Sequence, residues 1–228
     1  MERKQLEFEA SASSGSVSAL LTRPTEARYV YVMAHGAGAG MRHEFMESMA
    51  AALAVEGIAS FRYQFPYTEA GKRAPNPRPI LLKTVRSAIV AAAKAAPDLL
   101  LVAGGKSMGG RMTSLAASEG PLPGVAGLVF LGFPLHAAGK PSSDRGGHLR
   151  DVGLPMLFIQ GTRDQLADLA LLEPLLDDIR PSPVLHIVED GDHSFRVPKR
   201  SGATHEEVIR SLAAAIAGWT GGLARRSP

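Results

Sequence analysis

The chain has no cysteine. That absence removes disulfides, thiolate zinc sites and cysteine nucleophiles together, without fixing the redox compartment. Also missing is any apolar run approaching the roughly eighteen residues of a membrane-spanning helix. The polar opening Met1-Glu2-Arg3-Lys4-Gln5 lacks the apolar core of a secretory signal. No membrane partner and a cytoplasmic location are therefore expected. Neither sign of charge dominates: the net charge is +3 and the basic residues are spread along the chain, which gives no reason to expect a nucleic-acid partner. They gather only in a loop holding Lys72, Arg73 and Arg78 and in a tail with Arg225 and Arg226, read here as solvated. His-x-His, His-Glu-x-x-His and clustered carboxylates are all lacking, so no metal and no cofactor are expected.

What is present is strand and helix in alternation. At 228 residues with 45% hydrophobic side chains, the chain suits one α/β domain over 1–228 with a substantial core. Residues 1–27 hold an opening pair of strands, broken at Ser11-Ala12-Ser13-Ser14-Gly15. Strands follow at Arg28 to Ala34, Ile58 to Phe65, Leu99 to Ala103, Val125 to Leu131, Pro155 to Gln160 and Val184 to Val188. Between them, helical stripes run over His43 to Glu56, Leu81 to Ala92, Met108 to Ser118 and about Leu166 to Ile179. Thr204-x-x-Glu207 is a capping box opening a last helix, and 222–228 is expected to be a disordered tail. The proline-rich stretch up to Pro79 is expected to be irregular. Phe133 to Val152 is too rich in glycine, proline and charge for an inserted helical cap and is expected to loop over the site. Such alternation implies a mostly parallel central sheet with helices on both faces and functional loops at the carboxyl ends of the strands.

The most informative stretch is Leu99-Leu100-Leu101-Val102-Ala103-Gly104-Gly105-Lys106-Ser107-Met108-Gly109-Gly110. Gly105 to Gly109 fits Gly-x-Ser-x-Gly, a strained strand-to-helix turn that lifts a serine hydroxyl clear of the sheet. A P-loop needs a glycine where Leu100 stands. Ser107 would sit beside a helix N-terminus, where free N–H groups favour developing negative charge. Earlier, His35-Gly36-Ala37-Gly38-Ala39-Gly40 follows a strong strand. It misses the third glycine of a dinucleotide fingerprint by one position, and it fits better as the loop that donates one N–H to an oxyanion hole. Ala37 and Met108 are the expected donors, with Gly38 the weaker alternative to Ala37. His35 braces the loop and takes no catalytic role.

Two later strand ends carry what the serine lacks. Gly161-Thr162-Arg163-Asp164 and Glu189-Asp190-Gly191-Asp192-His193-Ser194-Phe195 complete the chain order Ser107, Asp164, His193. Serine is a weak nucleophile until a base within about 3 Å takes its proton, a role for His193. Asp164 would hold the other ring nitrogen and stabilise the imidazolium. Asp190 and Asp192 adjoin His193 and are expected to shape its loop instead. His186 falls inside a strand, and His136, His148 and His205 are read as loop or helix-start residues. Gly38, Lys106, Phe133 and Phe195 are the neighbours expected to bind substrate; Lys72, Arg73, Lys140 and Arg145, if they border the cleft, would favour anionic substrates.

From about Tyr29 to Trp219 the chain resembles a compact, capless α/β-hydrolase of the dienelactone-hydrolase-like group, in a bacterial subgroup of predicted serine hydrolases. The stretches that carry the likeness are His35 to Gly40, Gly105 to Arg111, Phe130-Leu131-Gly132-Phe133-Pro134-Leu135-His136, Gly161 to Asp164 and Gly191 to Phe195. The resemblance implies an α/β-hydrolase fold without a large cap domain, Ser107 as nucleophile, Asp164 as acid, His193 as base, and hydrolysis of carboxylic esters or related acyl bonds. Serine stands where dienelactone hydrolases use cysteine, which puts the dienelactone substrate in doubt; Gln165 stands where relatives often carry proline. A small-molecule acyl substrate is the expected partner. A thioesterase or peptidase would use the same machinery, and the class apart is a non-catalytic scaffold on the same fold. Monomer and homodimer both remain open.

Overall fold

A computed structural model describes residues 1–223. Eight strands, β1 (Glu2–Ser11), β2 (Gly15–Arg23), β3 (Tyr29–Ala34), β4 (Ile58–Tyr63), β5 (Leu100–Lys106), β6 (Val125–Leu131), β7 (Met156–Gly161) and β8 (Val184–Val188), form one sheet. Its order is β1-β2-β4-β3-β5-β6-β7-β8. The pairs β1·β2 and β2·β4 are antiparallel, and every pair from β4 to β8 is parallel. The six α-helices among the described residues are α1 (Glu44–Val55), α2 (Pro66–Glu69), α3 (Arg78–Ala95), α4 (Met108–Ser118), α5 (Leu169–Asp177) and α6 (His205–Leu223).

Continuous apolar runs in the parallel strands are explained by cover on both faces. Tyr31 and Met33 of β3, with Val102 and Val129, pack against Met46, Met49 and Leu53 of α1 and Leu212 and Ile216 of α6. Val30 and Val32, pointing the other way along the same strand, join Ala103 and Phe130 against Val85 and Ile89 of α3, Met112 of α4 and Leu172 of α5. The sheet order reverses direction at β3 and β5: the chain leaves β3 toward β4 on one side, then returns to build β5 to β8 on the other. The loops after β3 and β5 therefore diverge, and a crevice opens between them at the carboxyl end of the sheet.

Several local expectations change. Strand β4 stops at Tyr63, and Pro66 at the first helical position starts α2 inside the stretch expected to be irregular. None of residues 133–152 lines the cavity beside Ser107. Asp144–Asp151 is a 3₁₀ helix with Leu149 buried, and His148 Nε2 lies 2.7 Å from Ser114 Oγ, so this part packs on the flank of α4, while His136 bonds the stretch after Asp164. Helix α5 begins at Leu169 because the Asp168 carboxylate caps the Ala170 N–H at 2.9 Å. The capping box is formed: Glu207 N donates to Thr204 Oγ1 at 3.2 Å and Thr204 N to Glu207 Oε2 at 2.7 Å. Gly222 and Leu223 belong to α6 rather than to a tail, and 224–228 lie outside the described residues. Among the described residues no helix is long and apolar enough to cross a membrane.

Candidate active site

Strand β5 delivers Ser107 at the crevice. The backbone of Ser107 has φ 50° and ψ −118°, a conformation that residues with a side chain rarely adopt. Close backbone approach holds it there. A Cβ on Gly109 would stand 2.5 Å from the Ala34 carbonyl oxygen at the end of β3, and one on Gly105 closer still. Only glycine at both positions lets the turn lie against β3. Ser107 N donates to Leu131 O at 3.0 Å, and Arg111 N to Ser107 O at 3.1 Å begins α4. The Met108 amide, in the first turn, has no intrahelical partner to satisfy it.

Loops after β7 and β8 bring the other two predicted residues to this serine. His193 Nε2 is 2.8 Å from Ser107 Oγ, and His193 Nδ1 is 2.7 Å from Asp164 Oδ2. The Asp164 side chain is fully buried while that of His193 is 26% exposed, so the carboxylate meets the imidazole out of water and the imidazole meets the cavity. A carboxylate on Nδ1 keeps the proton there and leaves Nε2 free to accept from the hydroxyl. Asp164 is itself anchored: Leu166 N donates to Oδ1 at 2.8 Å, and the Gln160 amide donates to Oδ2. Gln160, fully buried at the end of β7, accepts from Phe133 N at 2.9 Å. Sequence reasoning passed over it; the signal was a lone amide closing an apolar strand just before the acid. Asp192 shapes the histidine loop, its Oδ1 accepting from Ser194 N at 2.8 Å and Arg196 N at 2.9 Å. Asp190 does not bond the ring either; its carboxylate faces Arg200 at 3.7 Å.

Ser107 and His193 open on a cavity of about 370 Å³ lined also by Gly36, Ala37, Ala39, Phe45, Met46 and Leu166. A larger one, about 660 Å³ between β1 and α3, is lined by one serine, Ser87, whose hydroxyl donates to Ala10 O, and by no histidine that could activate it. Of the expected substrate contacts, Lys106 lines the smaller cavity and Gly38 does not. Phe133 and Phe195 are corrections: both are buried, Phe133 in an aromatic cluster with Phe130 and Phe158, Phe195 stacked on Phe45 at 6.0 Å. Each follows a strand end, yet its ring turns into the core. Lys72, Arg73, Lys140 and Arg145 do not line this cavity; Arg196, His43 and His205 do. Met108 lies beside the serine but outside the lining.

A family model described as an alpha/beta hydrolase domain matches residues 27–221. The chain belongs to this family. Solved structures agree on the architecture. A dienelactone hydrolase from Anabaena variabilis matches with a TM-score of 0.75 at 19% identity, over 96% of this chain and 97% of that one. An α/β serine hydrolase without lid from Xanthomonas campestris matches at 0.73 and 21%, over 100% and 96%. An α/β serine hydrolase homologue from Coxiella burnetii matches at 0.73 and 16%, over 93% and 96%. The likeness spans nearly the whole chain, and among the described residues this alpha/beta hydrolase carries no added cap domain.

Two further histidines of the alpha/beta hydrolase are structural. His35 is fully buried; its Nδ1 donates to Gly36 O at 2.8 Å and its Nε2 accepts from Phe65 N at 3.3 Å, bracing the loop after β3. Burial lowers its pKa to about 4, so it stays neutral. His136 links Ala137 O to Asp168 N in the same manner.

Proposed function

We propose that the protein is a serine hydrolase that cleaves carboxylic esters or related acyl bonds through an acyl-enzyme on Ser107. One observation carries this: a serine hydroxyl at a strained turn, 2.8 Å from an imidazole whose far nitrogen is 2.7 Å from a buried carboxylate, facing a cavity. Ser107 Oγ attacks the acyl carbon as its proton passes to His193 Nε2, and the carbonyl π electrons move onto oxygen. Asp164 holds the imidazolium in place without taking the proton. The N–H groups of Ala37 and Met108 are the donors assigned to the oxyanion, the first from the loop after β3 and the second from the first turn of α4. Collapse expels the alcohol, which takes the proton from His193. Water, deprotonated by His193, then attacks the acyl-enzyme; collapse breaks the bond to Ser107 Oγ, which takes the proton back from His193, and the acid leaves. The partner is a small molecule, and a cavity of this volume suits short and medium acyl chains.

Hydrolysis of a chain-length series of p-nitrophenyl esters, wild type beside Ser107→Ala, tests the proposal. We expect turnover to fall at least about 1,000-fold on substitution. Fluorophosphonate is expected to label Ser107 in the wild type. A folded protein that turns over no ester and takes no label overturns the enzyme and points to a binding scaffold.

A further inference from the structure

Lys106 precedes the nucleophile, and no step of acyl transfer uses it. Its side chain leaves the end of β5 and runs beneath the 189–197 loop. There Nζ donates to the main-chain oxygen of His193 at 2.5 Å. The same ammonium lies 5.9 Å and 5.5 Å from the ring centroids of Phe45 and Phe195, the stacked pair that closes this corner. Room for it comes from Gly132, whose φ is +66°. A Cβ there would meet Nζ at 2.9 Å and His193 Nδ1 at 3.4 Å, so the amine and the catalytic ring crowd one point. Among the described residues no carboxylate forms an ion pair with Lys106. Asp164 and Asp192 act on it only from a distance, and burial lowers its pKa to about 8.

We propose that Lys106 is a positioning residue, whose Nζ ties the main chain of His193 to the strand that carries Ser107 and so holds the imidazole on the nucleophile. A desolvated ammonium is expensive unless it makes strong bonds, and here its bond goes to the backbone of the base. The contact joins β5 to the loop after β8, which otherwise reaches the serine through the ring alone. Serine and histidine must keep hydrogen-bond reach throughout the reaction, and a displacement of about 1 Å costs on the order of 100-fold in rate. The catalytic consequence rests on the serine hydrolase reading; the tether itself does not.

Lys106→Met keeps the apolar stem against Phe45 and Phe195 and removes the donor, whereas Lys106→Arg keeps a donor. We expect kcat of Lys106→Met to fall about 10- to 100-fold with KM within about twofold, and Ser107 labelling by fluorophosphonate to slow in proportion. Amide hydrogen exchange should quicken over 189–197 and not elsewhere, and Lys106→Arg should recover most of kcat. Lys106→Gln, which keeps a neutral donor, should give an intermediate loss, and it carries the same comparison where the methionine variant fails to fold. Unchanged kcat and unchanged exchange overturn the proposal. So does a loss confined to KM, which would make Lys106 a substrate contact. A wild type inert toward every ester sinks the hydrolase reading instead, and exchange over 189–197 still decides the tether.

Discussion

The two loops that meet at the Ser107–His193 contact are held by different physics. The serine turn is fixed by steric closeness: Gly105 and Gly109 press against the Ala34 carbonyl, and Gly104 against Val129 of β6. The histidine loop is fixed largely by polar side chains: Asp192 on two of its amides, Asp164 on the ring and Lys106 on the main chain. Close packing leaves no intermediate state, because a backbone that cannot approach cannot fold there. Polar anchoring is graded, since each bond can be removed while the loop stays in place. One half of the site thus behaves as part of the core and the other as an adjustable arm.

Gly109→Ala is the hardest break of that contrast. The new Cβ would stand 2.5 Å from Ala34 O and 2.7 Å from Ala34 Cβ, both on a central strand flanked by β4 and β5. Neither can yield without moving the sheet. We expect a loss above about 4 kcal/mol, seen as insoluble protein or a collapsed denaturation midpoint rather than as a folded enzyme with low activity. A soluble variant of native stability would show that the turn has slack, and the contrast would fail.

How much was legible follows the same division. Strands β3, β5, β6, β7 and β8 and helix α4 stood out as apolar or small-residue runs, most of them bounded by glycine, and the residues after β5, β7 and β8, Ser107, Asp164 and His193, fell where strand ends must place them. Glycine marks steric closeness in a sequence. Nothing marks which way a side chain turns at a strand end. Phe133 and Phe195 were expected in the pocket and lie in the core, while Gln160, the partner of Asp164, went unnoticed. Lys106 was expected to touch substrate, but its ammonium goes to His193 O because Gly132 leaves it space there, a relation between residues 26 apart that no local pattern carries. The cations in loops, Lys72, Arg73, Lys140 and Arg145, could not be assigned to the cavity or away from it until the loops were built.

Asp192→Ala tests the adjustable arm. It frees the Ser194 and Arg196 amides, which are exposed enough to find water, so the global cost is expected to be about 1–2 kcal/mol. Activity should suffer more than stability, with kcat falling about tenfold as the imidazole samples positions off the serine. Urea denaturation beside ester turnover separates the two. A variant that loses stability without losing kcat would mean that Asp164 alone suffices to place the ring.

The finest probe is the pH dependence of stability. Lys106 has its pKa lowered to about 8 in the folded chain by burial, from an ordinary value of 10.5. Below pH 8 both states carry the proton and the folding penalty is constant. Between about 8 and 10.5 the folded protein gives up the proton first while the unfolded chain still holds it, so this group makes stability rise with pH across that window. The shift from 10.5 to about 8 bounds the gain at about 3 kcal/mol, the ammonium being desolvated although part of the side chain is exposed. Lys106→Met should lack the rise, so the stability difference between wild type and variant, followed by urea denaturation from pH 7 to pH 10.5, should shift in favour of the wild type at the alkaline end. The amine keeps a hydrogen for the His193 oxygen after losing its charge, and the tether therefore persists in weakened form. A difference independent of pH would mean that the ammonium is solvated, and the histidine loop would then owe its placement to Asp192 and Asp164 without help from β5.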